Sequence, residues 1–111
     1  MNRPETDPHT AIDYMLKHAG KHAAAKANRV YIENFLRSKK AILMCESDAK
    51  AANEREQYAY AHKEYQQLID GLKAAVEDEE RLKWEMIAVQ LRVEVWRSEQ
   101  ASNRNQDRAM R

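Results

Sequence analysis

A chain of 111 residues has room for one small domain. Its 19 Lys and Arg nearly balance 18 Asp and Glu, so a net charge of +1 builds in no general stickiness to polyanions. With 43% apolar residues the chain is too apolar for a disordered tail, and with two Gly and two Pro, both prolines before residue 9, it is too poor in breakers for a turn-rich β fold.

In chain order, residues 1–9 read as a flexible leader, with mixed charge and nothing to bury. Thr10 then offers an N-cap, with Asp13 in the capping-box position. Ile12, Met15, Leu16 and Ala19 follow at helical spacing, and Gly20 reads as a C′ stop, which predicts a short helix over 11–19. A second helix is expected over 22–46. Ala24, Ala27, Tyr31, Phe35, Ser38, Ile42 and Cys45 fall within one narrow arc, Ile32, Leu36 and Leu43 widen it, and His22, Lys26, Arg29, Glu33, Arg37 and Lys40 form the opposite, wet face. Ser47 or Asp48 could cap a third, loosely held helix over 49–60, and the apolar register shifts again at Ala61, His62 and Lys63.

The clearest signal starts at Tyr65. Steps of three and four give Tyr65, Leu68, Leu72, Ala75, Glu79, Leu82, Met86, Val89, Val93 and Trp96, a heptad seam whose one charged member is Glu79. At ~1.5 Å per residue the helix 65–97 alone would be roughly 50 Å long, which predicts an elongated molecule. Trp84, Ile87, Leu91 and Val95 make a second stripe on another face, so 82–96 needs two partners. Those partners are the other arm of an antiparallel hairpin folded near 61–63, and either the helix 11–19 laid across it or a second copy of the chain. Gly71 suits a close helix approach or a small bend. The fold class expected is all-α, an elongated antiparallel helical hairpin or three-helix bundle with a coiled-coil-like seam. A single helical domain spans 10–101, its last helix covers 63–101, and a frayed polar tail covers 102–111.

Charge is segregated although its sum is not. Residues 1–45 carry eight basic and four acidic side chains, 46–80 four and ten, and 81–111 seven and four, net +4, −6 and +3. A hairpin turning near residue 62 would therefore be an electric dipole. Its basic end, Lys26, Arg29, Arg37, Lys40, Arg92 and Arg97, could contact DNA or an acidic protein surface. The acidic run Glu77 to Glu80 is a solvated stretch or a dock for a basic partner.

Catalytic, metal and cofactor sites are not expected. His18 and His22 have helical metal-ligand spacing but no further ligands, and Gly20 falls between them. Cys45 reads as a small buried thiol on the apolar arc, Gly20 and Gly71 stand alone where a phosphate loop needs glycines in series, and an exposed acidic run is no acid–base pair. One cysteine excludes an internal disulfide and a multi-cysteine zinc site, and suits a reducing compartment. No apolar run approaches ~18 residues, and residues 1–8 have no apolar signal core, so neither a membrane span nor a secretory signal is expected.

Three stretches taken together resemble a group of small helical proteins of tailed bacteriophages and prophages, encoded among early genes for recombination and replication. They are Arg29–Lys40 (RVYIENFLRSKK), Tyr60–Tyr65 (YAHKEY), and Glu79–Trp84 (EERLKW) leading to Glu94–Arg104 (EVWRSEQASNR). The resemblance spans roughly residues 29–104, and where this chain has Lys63 the group often has Pro, which agrees with a helix junction. It implies a phage origin, a bacterial cytoplasmic setting and an association with DNA metabolism, and it carries over no catalytic residue. The expectation is a non-enzymatic accessory protein acting by binding. Its alternatives are a structural, oligomer-forming protein using Trp84, Ile87, Leu91 and Val95 in a homodimer, or an inhibitor of a host nucleic-acid enzyme.

Overall fold

The computed structural model describes residues 7–110. Among these the chain is all-α, with helices α1 (Pro8–Glu46), α2 (Ala52–Ala61) and α3 (Lys63–Ala109) and no strand. Its contacts fall into two units. Unit 1 takes the chain up to His22 together with 81 onward, and unit 2 takes Ala23–Glu80. Unit 1 sets the start of α1 antiparallel to the later part of α3, and unit 2 sets the rest of α1 antiparallel to α2 and the start of α3, as expected for a helical hairpin.

The first helix starts earlier and runs longer than the spacing predicts. Its cap is Asp7, whose carboxylate accepts from the His9 N–H (3.3 Å) and the Thr10 hydroxyl (3.0 Å), and Pro8 takes the first helical position, where a missing N–H costs nothing. Thr10 is therefore inside the helix. Residues 1–6 of the expected leader lie outside the described residues. Gly20 does not stop the helix: its φ is not positive, and the helical pattern runs through it. A helical glycine costs about 1 kcal/mol relative to Ala, and the packing of residues on both sides outweighs that.

Packing also selects a different face of α1. The buried or half-buried row is Ala11, Met15, His18, His22, Ala25, Arg29, Ile32, Leu36, Lys39 and Leu43, in unbroken steps of four and three. The predicted narrow arc is displaced from it by one residue, about 100°, while Ile32, Leu36 and Leu43, read as the flank of that arc, lie on it. Tyr31, Phe35, Ile42 and Cys45 are thus exposed, and His22, Arg29 and Lys40, assigned to the wet face, are half-buried.

At the far end of unit 2, α1 ends at Glu46, and 47–51 turn the chain. Ser47 Oγ accepts from the Ala49 N–H (3.2 Å), but α2 begins only at Ala52 and has no side-chain cap. Its Arg55 instead donates to the carbonyl of Lys50 (2.8 Å). His62 breaks the return arm: its backbone is extended, and its Nδ1 accepts from the Glu64 N–H (3.1 Å), so one side chain ends α2 and caps α3.

All ten seam positions from Tyr65 to Trp96 are buried or half-buried, with Ala75, Leu82 and Val89 the deepest. Gly71 is off this seam; a Cβ added there would meet nothing within 4 Å, so it serves no close approach. The helix continues through 102–109, where a frayed tail was expected. Every residue from Arg97 to Met110 is exposed, and Arg108 in the last turn suits the negative end of the helix.

Candidate interaction surface

In unit 2 ion pairs cross the seam beside the apolar packing. Arg29 Nε donates to Glu79 Oε2, Arg29 Nη2 lies 3.4 Å from Glu79 Oε1, and Arg29 Nη1 donates to Glu33 one turn on (2.9 Å). Glu79 first and Glu33 second hold the guanidinium well above its ordinary pKa. Lys39 pairs with Glu64, whose carboxyl is lowered chiefly by that hydrogen bond. Lys40 lies 4.8 Å from the centroid of the Tyr60 ring and 3.6 Å from Glu56, and both hold it charged above the usual lysine range, Tyr60 more strongly.

In unit 1 a histidine meets an acid across the seam. His18 Nε2 meets Glu85 Oε2 at 3.0 Å, and its ring stacks on Tyr14 at 3.8 Å. His18 Nδ1 is buried without a hydrogen-bond partner. Arg81 also reaches Glu85 (3.2 Å), one turn along α3. Among the described residues no three His, Cys, Asp or Glu side chains come together as a metal site, and no helix is long and apolar enough to cross a membrane.

The six candidate cations are divided by this arrangement. Lys26, Arg29, Arg37 and Lys40 belong to unit 2, and Arg92 and Arg97 to unit 1. Lys26, Arg37, Arg92 and Arg97 are exposed, whereas Arg29 and Lys40 turn toward acids of the return arm. The stripe on α3 does remain on the surface: Trp84, Leu91 and Val95 are more than half exposed, and Ile87 is half-buried. The segment 11–19, expected as its cover, is the start of α1 and lies on the seam.

What spacing alone missed is that α1 carries two apolar rows. The row turned outward contains Tyr31 (66% exposed), Phe35 (39%) and Ile42 (49%), with the Tyr31 and Phe35 rings stacked 6.1 Å apart. The available signal was the unbroken step pattern from Ala11 to Leu43, which includes His18, His22, Arg29 and Lys39 and so does not stand out by hydrophobicity. Comparison with family models, curated proteins and solved structures finds no match.

Proposed function

We propose that this is a non-enzymatic, structural protein that works by self-assembly through its outward apolar rows. The observation that carries the reading is that the charge-free row of α1 faces solvent while a row containing two histidines, an arginine and a lysine fills the seam. A free helix surface seldom carries aligned large apolar side chains over several turns, and such patches mark binding surfaces. Sedimentation equilibrium over a wide dilution series tests it. The expected result is a concentration-dependent mass above that of one chain, and a single-chain mass throughout would overturn the reading.

A second reading, a DNA-binding accessory role in recombination or replication, is supported by the exposure of Lys26, Arg37, Arg92 and Arg97. Labelled single- and double-stranded DNA would then bind with an affinity that falls steeply with salt, and Lys26→Glu with Arg37→Glu would weaken it. Salt-insensitive anisotropy would remove this reading.

A further inference from the structure

We infer that copies of the chain join head to tail, with the segment of α3 from Arg81 to Arg97 in one copy lying in a groove of unit 2 in the next. This rests on the self-assembly proposed above and adds which surfaces meet.

The accepting groove has an apolar wall and an acidic bank. The wall is the outward row Tyr31, Phe35 and Ile42 of α1. On α3, Glu64, Gln67, Gly71, Ala74 and Asp78 follow one another in steps of three and four and so share a face. Phe35 borders the same shallow depression as Lys39, Glu64, Gln67 and Leu68, which puts wall and face on one side of the helix pair. Gly71 and Ala74 are both exposed, and the space above Gly71 is empty, so the floor is low enough for another helix. Exposed Asp70 and Glu77 continue the acidic bank, and the return arm from 46 to 80 has a net charge of −6.

The entering helix has the complementary character. Trp84, Ala88, Leu91 and Val95 succeed one another in steps of four, three and four, and all four are exposed. Arg81 and Arg92 flank this row, and residues 81–111 carry +3. Of the acids in this segment, Glu85 meets His18 and Arg81, and Glu94 is exposed. An amphipathic helix laid in a groove is a common recognition mode, and here both its apolar row and its charge match.

The charges also select a second copy in this orientation. Two entering helices set face to face would oppose cations, and two grooves set face to face would oppose acidic banks. Only the entering helix on the groove matches apolar row to apolar row and positive to negative. Each copy then has one donor and one acceptor surface, a heterologous contact that closes into a ring or continues as a filament.

Complementation tests this with full-length chains. A donor variant carries Leu91→Glu and Val95→Glu, and an acceptor variant carries Tyr31→Glu and Phe35→Glu; circular dichroism checks that both remain helical, since all four side chains are exposed. Each variant alone should lose self-association on the order of a hundredfold, as when central interface anchors are removed. Mixed, they should form a one-to-one pair and nothing larger, because one intact donor then meets one intact acceptor. A mixture that sediments as single chains overturns the inference. If the donor variant still assembles and only the acceptor variant is monomeric, the α1 row pairs with itself, so self-assembly stands and the head-to-tail contact fails. A parent chain that never assembles removes both.

Discussion

The two rows of α1 differ in composition opposite to their burial. The inward row interrupts Ala11, Met15, Ala25, Ile32, Leu36 and Leu43 with His18, His22, Arg29 and Lys39, whereas the outward row through Tyr31, Phe35 and Ile42 has no charge. Burial here follows complementarity with the facing helix rather than hydrophobicity. Glu64, Glu79 and Glu85 stand on α3 at heights that receive Lys39, Arg29 and His18. A hairpin with either row inside would bury apolar surface, but only this one gives those acids partners. Charged pairs in a seam fix register and face at some cost in stability, a role best attested in coiled coils.

The largest effect expected within the inward row is at Leu43, among the described residues the one large side chain fully buried. Leu43→Ala should lower the unfolding free energy by about 2–3 kcal/mol, read from urea titration by circular dichroism. Next comes the ion pair. Glu79→Leu alone leaves Arg29 half-buried without its main partner and should lower the melting midpoint by several degrees, while adding Arg29→Leu should recover the loss or exceed it. A double variant that melts below the single one would show that the pair contributes net stability, not specificity. Smaller still, Tyr31→Ser with Phe35→Ser should change the unfolding free energy of dilute single chains by no more than about 1 kcal/mol, since both rings are exposed.

The smallest effect is in pH. Glu64 has its folded pKa depressed by Lys39, so its contribution is present above the ordinary carboxylate pKa and is lost as pH falls through the lowered folded value. The difference in melting midpoint between the parent and Glu64→Gln should therefore shrink as the solution is acidified below the usual carboxylate range. A difference that stays constant across that range would show that the Lys39 pair adds nothing.

Much of the fold was legible because α3 is written in one period. From Tyr65 to Trp96 only Glu79 departs from apolar character, and every position the heptad rule named is buried or half-buried. The junctions near residue 47 and at His62 were legible too, the first from its capping residues and the second from the change of register. What failed was the choice between two rows on one helix, because Arg29 and Lys39 read as solvent-facing until their acidic partners are known. Gly20 misled for a related reason: a glycine ends a helix only when nothing holds the next turn, and His22 and Ala25 hold it. The candidate surface was half legible. Trp84, Leu91 and Val95 were identified as needing a partner, but Tyr31, Phe35 and Ile42 were assigned to the core.

The stretch of α3 from Arg97 to Ala109, exposed along its whole length, makes the chain its own reporter. A helical segment of about a dozen residues without tertiary contacts is marginal in water, so its amide hydrogens should exchange with solvent far faster than those beside Leu82 and Val89. Slow exchange there would mean that something lies against it. Protection mapped along this arm thus shows where cover begins, with no label attached and no residue altered.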